Sequence, residues 1–120
     1  MDKLEQISEQ IRLNFDTQTA ARDQALTQAR LLTRHCSLAI RAVHREEIDL
    51  MQSHLDEAGK LAVSLTTDLD PFPNLYHTGY TQDALKEYAE AQITCALILN
   101  KPLPSPDEIH VIHATYLKGL

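Results

Sequence analysis

Helix-breaking residues are scarce in this sequence. It holds 3 glycines and 5 prolines in 120 residues, and neither type occurs before Gly59. A first half without breakers excludes a loop-rich or turn-rich architecture there. Strand signals are missing too: no alternating apolar–polar run is bounded by turn residues. No stretch of 18 apolar residues exists, which excludes a transmembrane helix on hydropathy. The opening MDKLEQISEQ lacks the apolar centre of a signal peptide. A soluble, cytoplasmic protein with no membrane partner is therefore expected. The 2 cysteines, Cys36 and Cys95, form no CxxC and are expected to be reduced and buried. There is no glycine-rich phosphate loop and no Ser-His-Asp signature. His110 and His113 have a zinc-compatible i, i+3 spacing, but no third soft ligand is near in sequence.

What is present is helical periodicity. Leu4, Ile7, Ile11 and Phe15 keep three- and four-residue steps, and Leu26, Ala29, Leu32, Cys36, Ile40 and Val43 resume them. Asp16 and Thr17 could cap a second helix, or the first could run on. A continuous helix over this span would be roughly 60 Å long and would need neighbours along its whole length. A second helix is expected from near Arg45–Glu47, with Glu46 and Glu47 suiting its positive N-terminus. Its stripe is Ile48, Met51, Leu55, Ala58, Leu61, Ala62 and Leu65, and it should end before Thr66. Asp68 to Tyr80, DLDPFPNLYHTGY, reads as a linker without regular structure. Thr81 is a plausible N-cap for a helix reaching Asn100. Ser105-Pro106-Asp107-Glu108 signals a short helix through Ile109 or slightly beyond, and Thr115 to Leu120 opens another. The class is all-α: one domain over residues 1–120, antiparallel helices packed as a bundle. The apolar stripes exceed what so short a chain shields by itself, so a homo-oligomer is expected.

Charge is unevenly distributed. The net charge is −6, which argues against a generic nucleic-acid binder. Yet residues 22–45 hold Arg22, Arg30, Arg34, Arg41 and Arg45 against Asp23 alone, a net of +4, so the remainder carries −10. On an ideal helix Arg30, Arg34, Arg41 and Arg45 fall within an arc of about 60°, with Ser37 on the same line and His44 close by. Guanidiniums in a row suit a phosphate backbone. The competing reading is a solvated face, or partners for neighbouring carboxylates. Against it stands the lack of interleaved acids at i+4.

The stretch Thr81–Asn100 has two faces. Ala84, Tyr88, Ala91, Cys95 and Ile98 form an apolar stripe, and Asp83, Glu87 and Glu90 line one side. Hard oxygen donors grouped this way suit Mg²⁺ or Mn²⁺, which would retain several waters. One such water could attack a phosphodiester. The alternative is an acidic solvent face, partly offset by Lys86 and Lys101.

These residues resemble the translin family, most nearly its translin-associated factor X branch and prokaryotic relatives. Three segments carry the likeness: Arg30 to Arg45, RLLTRHCSLAIRAVHR; Tyr80 to Ala91, YTQDALKEYAEA; and Leu103 to Leu120, with LPSPDEI and YLKGL. The resemblance implies an all-α fold, hollow octamer-like shells, and binding of single-stranded RNA and DNA. It implies a Mg²⁺-dependent endoribonuclease in which Glu87 and Glu90 are catalytic, metal-holding acids. Arg30, His44 and Arg45 match the family's basic helix; Arg34 and Arg41 come from the stripe geometry alone. A non-catalytic binding or scaffold subunit is the alternative. In the family YLxGL is followed by an Ala-Asp pair whose Asp is a third catalytic acid, and the present sequence reads only to Leu120. On that comparison the C-terminal part of the family fold is expected to be missing here.

Overall fold

The computed structural model describes residues 2–120. Five helices follow one another: α1 Lys3–His44, α2 Ile48–Asp68, the single turn α3 Pro73–Tyr76, α4 Gly79–Ile98 and α5 His113–Gly119. No strand occurs among the described residues. The molecule measures 66 × 25 × 17 Å, and its long dimension is that of α1.

Asp16 and Thr17 start no new helix; α1 continues through them for 42 residues. Asp2 caps its start, accepting the Glu5 N–H at 2.7 Å. Arg12 pairs with Glu9 on one side and Asp16 on the other. Without Gly or Pro, a helix nucleated in the bundle propagates outward at little cost per residue.

Within this chain, other helices flank only the C-terminal half of α1. α2 doubles back from the α1 terminus, and its end is held where the Gln24 and Gln28 amides donate to Asp68 Oδ2, at 3.4 and 3.0 Å. That grip extends α2 past Thr66 to Asp68. Twenty-one residues cannot reach further along a partner of 42. Beyond that point Leu4, Ile7, Ile11 and Phe15 are exposed, whereas Ala25, Ala29, Leu32, Cys36, Ala39 and Val43 are buried.

The α1–α2 turn uses the acids differently from the sequence reading. The Glu46 and Glu47 N–H groups donate to the Val43 and Ala42 carbonyls at 3.2 and 2.9 Å, which closes α1 as a Schellman motif. Glu46 holds the left-handed position, φ 62°. Glu47 is the α2 N-cap but makes no side-chain capping bond. Asn100, φ 57°, ends α4 in the same way, with Lys101 N–H donating to Ala96 O at 2.8 Å.

The proline-rich segment is more ordered than expected. Pro73 opens α3, where its missing N–H costs nothing, and Gly79 opens α4. The α4 N-cap is Thr78 rather than Thr81. Thr81 is fully buried, and its hydroxyl donates to Leu75 O at 2.9 Å. Thr78 donates to the same carbonyl at 2.7 Å, so the two threonines clamp α3 onto α4. After Ser105 the chain makes one turn only. Ser105 Oγ accepts from Glu108 N–H at 3.1 Å, and His110, φ 57°, ends the turn before a helix is established.

α4 lies between two layers. Ala84, Tyr88, Ala91 and Cys95 are buried, but so are Leu85, Ala89, Ile93 and Ala96. The second set was not part of the expected stripe, and Ile98, which was, is exposed. α5 packs on α4: a Cβ built on Gly119 would stand 3.0 Å from Lys86 O and 3.2 Å from both Ala89 Cβ and Glu90 N. Only glycine allows so close an approach. It brings Leu120 beside the turn that carries Glu87 and Glu90.

Candidate functional site

Up–down–up connection makes α4 run in the same direction as the C-terminal half of α1. Tyr80, Asp83, Ala84, Lys86 and Glu87 face Leu26, Ala29, Arg30 and Thr33 across an open groove of 600 Å³. One turn further on, Glu87 and Glu90 lie within electrostatic reach of Cys36 on α1. Both acidic side chains are half-buried. Glu87 lines the α1–α4 groove, and α5 approaches the Glu90 backbone at Gly119.

The acids are largely free of protein partners. Glu87 has one, Lys86 Nζ at 3.5 Å. Glu90 has no hydrogen bond or ion pair among the described residues. The negative charge is felt at Cys36, whose thiol is pushed up to about 12, first by burial and then by Glu87, Cys95 and Glu90. Cys95 is raised by burial as well. Both thiols are free and buried, as the sequence led us to expect, and neither is a nucleophile at neutral pH. Tyr88, between the two acids in sequence, turns inward. Its hydroxyl accepts from Gln92 Nε2 at 3.1 Å, and burial raises its pKa.

The arginine row divides between two surfaces. Arg30 lines the α1–α4 groove with Asp83, Lys86 and Glu87. Arg41 and Arg45 line a 180 Å³ hollow between α1 and α2, with Glu47 and His54. Arg34 is exposed and lines neither. His44 is exposed, and its Nδ1 donates to Ile40 O at 2.8 Å, folding the ring back on its own helix. None of Arg30, Arg34, Arg41 or Arg45 has a carboxylate within 4.0 Å among the described residues. Their role as ion-pair partners for neighbouring acids is thus not realised. In the same region the His35 and His54 Nδ1 atoms stand 3.0 Å apart and share one hydrogen bond between α1 and α2.

Tyr80 and Gly119 are the site residues that the sequence did not single out for themselves. The Tyr80 hydroxyl is buried without a partner among the described residues, in the wall of the groove. His110 and His113 gather no further ligands, and His113 Nε2 faces Asp107 at 3.6 Å. No group of three or more metal-ligating side chains is clustered among the described residues.

No protein-family model matches this sequence, and no curated protein matches it. A solved structure does, described as the crystal structure of apo-NeC3PO. Its TM-score is 0.84 at 20% sequence identity, over 99% of this chain and 61% of that one. This chain thus spans about three fifths of that structure's length. The likeness establishes the fold, an all-α antiparallel helical bundle like that of the matched structure. No helix among the described residues is long and apolar enough to cross a membrane.

Proposed function

We propose that this chain binds single-stranded RNA, and single-stranded DNA as well, as a self-associating protein of the translin type. We further propose that it acts as a Mg²⁺-dependent endoribonuclease of the translin-associated factor X kind. The observation that carries the reading is the placement of Glu87 and Glu90. Both acids are half-buried with spare acceptor capacity: Glu87 lines a groove with Arg30, Asp83 and Lys86, and Glu90 follows one turn further along α4.

The donor set fits a hard divalent ion. Mg²⁺ is commonly held through one or two carboxylates and keeps several waters, so the lack of a three-ligand cluster does not disqualify the pair. Mn²⁺ takes the same oxygen donors. When bound, the ion supplies a water of lowered pKa and charge to polarise a phosphoryl oxygen. Glu87 and Glu90 hold that position, and Asp83 extends the acidic wall. Arg30 and Lys86 are placed to bind a backbone phosphate beside it, with Arg suited to bidentate contact. Arg34, Arg41, His44 and Arg45 continue the cationic surface along α1, where a strand of nucleic acid would be held without sequence preference.

The test is cleavage of end-labelled single-stranded RNA in Mg²⁺. Glu87→Gln is expected to lose about 100-fold or more in rate, since several kcal/mol of charge stabilisation go with the metal. It should leave binding in chelator unchanged. Equal cleavage by Glu87→Gln and the parent would refute the assignment. The pair being only two acids favours one second reading, a binding subunit without catalysis. That reading predicts salt-sensitive binding, weakened by Arg34→Glu with Arg41→Glu, and no cleavage with any metal.

A further inference from the structure

His35 of α1 and His54 of α2 meet across the seam between their helices, with the two Nδ1 atoms 3.0 Å apart. The ring centroids are 5.3 Å apart and the planes are tilted by 40°, so each ring offers a nitrogen to the other. Neither ring makes another hydrogen bond or an ion pair among the described residues. Both imidazoles are half-buried. Their positions are set by the core: Leu32 and Cys36 beside His35, and Met51, Leu55 and Ala58 beside His54, are buried. Donors carried on packed helices are held in place before any ligand arrives. The nucleic-acid reading makes no use of this pair.

We propose that His35 and His54 bind a borderline transition-metal ion of the class of Zn²⁺, Ni²⁺ or Cu²⁺ through their Nδ1 atoms, and that the ion staples α1 to α2. Two metal–nitrogen bonds of about 2.0–2.1 Å set their donors roughly 3.3 Å apart at a tetrahedral ion and about 2.9 Å apart at a square or octahedral one. The observed 3.0 Å lies between these values, so an ion enters with little movement of either helix. Both rings must be neutral with Nδ1 free of its proton. The Nδ1 proton of the donor ring is exchanged through water for one at its own Nε2, so both rings stay neutral. No third ligating side chain joins the pair among the described residues, and water completes the coordination. The hollow beside His54 presents Arg41 and Arg45 against Glu47. That wall opposes a bare dication, so affinity rests on the two nitrogen bonds and falls below that of a four-ligand structural site. Imidazole suits these metals, whereas carboxylate oxygen suits Mg²⁺ and Mn²⁺. The chain would thus sort two classes of ion between two places.

This inference is independent of the reading of Glu87 and Glu90 and survives its failure. Zn²⁺ titrated into the full chain near neutral pH, with excess Mg²⁺ present to fill oxygen sites, tests it by calorimetry and by nitrogen spectra of labelled histidine. One equivalent should bind saturably, and the Nδ1 signals of His35 and His54 should move first. The urea midpoint should rise with Zn²⁺, since the ion binds the folded state. His35→Gln and His54→Gln should each weaken uptake at least 10-fold, with metal-free melts checking that both variants fold. His110→Gln with His113→Gln should retain it. The nitrogen spectra are read on the parent and so decide the matter even where a variant does not fold. No saturable uptake, uptake that survives either single substitution, or first shifts at His110 and His113 would overturn the site. Uptake with an unmoved urea midpoint would overturn the staple.

Discussion

The two halves of α1 carry nearly the same pattern and meet different fates. Leu4, Ile7, Ile11 and Phe15 repeat at helical spacing and lie exposed. Ala25, Ala29, Leu32, Cys36, Ala39 and Val43 repeat at the same spacing and form one wall of the core. Periodicity says that a helix has an apolar face; it does not say what covers that face. The covering is decided elsewhere, by the length of α2 and by where Gln24 and Gln28 hold its end. The covered half has small residues where helices come close, Ala25, Ala29 and Ala39 among them. The free half has large ones, Leu4, Ile7, Ile11 and Phe15.

The contrast is broken most forcefully in the core. Leu32 is fully buried, and Leu32→Ala should lower the unfolding free energy by about 3 kcal/mol through lost transfer energy and a residual cavity. Ile11→Ala, measured in the same urea titration at dilution, should shift it by less than about 0.5 kcal/mol. If the two substitutions cost the same, the free half is covered in the monomer and the comparison fails.

Alkaline titration probes the same wall. The Cys36 thiol is raised to about 12 from an ordinary 9.0, so the folded state holds its proton where the unfolded chain releases it. Stability is fully present below pH 9 and falls as the pH rises toward 12. At full effect the loss is on the order of 4 kcal/mol. Thermal melts of the parent and of Cys36→Ala between pH 8 and 11 check it: only the parent should show that part of the decline. A thiol reagent at pH 8 should leave native Cys36 unmodified.

Gly119→Ala should cost about 1–2 kcal/mol, since the new Cβ meets the Lys86 carbonyl at 3.0 Å and backbone cannot step aside. The loss should fall on α5, seen as faster amide exchange there and little change in α1. Glu46→Gly runs the other way. Glu46 sits at φ 62°, which glycine adopts without strain, and a gain of about 0.5–1 kcal/mol is expected. It should appear in the urea midpoint of the whole bundle.

Much of the fold could be read from the chain. The helical class, the apolar stripe of α2 and the carboxylate face of α4 follow from spacing that tertiary contacts did not override. The misplacements have specific causes. Thr81 is of a residue type that favours the N-cap, but its hydroxyl is buried on the Leu75 carbonyl, and the helix starts one turn earlier, after Thr78. Glu46 looks like the start of α2 because a left-handed glutamate leaves no mark in the sequence. The second buried face of α4 is invisible without α5, since Leu85, Ala89 and Ile93 read as interruptions of the first stripe. For the candidate site, the row of Asp83, Glu87 and Glu90 on one side of α4 follows from spacing, whereas the division of the arginines between two surfaces does not. Arg30, Arg41 and Arg45 project along one line of α1, but α4 flanks that line at Arg30 and α2 flanks it at Arg41 and Arg45.

The central claim is that Glu87 and Glu90 of α4 hold a divalent ion, and paramagnetic Mn²⁺ tests it most directly. Added stepwise to isotope-labelled protein, it should broaden the amide signals of Glu87 to Glu90 and of the facing turn around Cys36 first. Glu87→Gln with Glu90→Gln should remove that effect. Broadening that starts elsewhere on the acidic surface, or that survives both substitutions, would contradict the account.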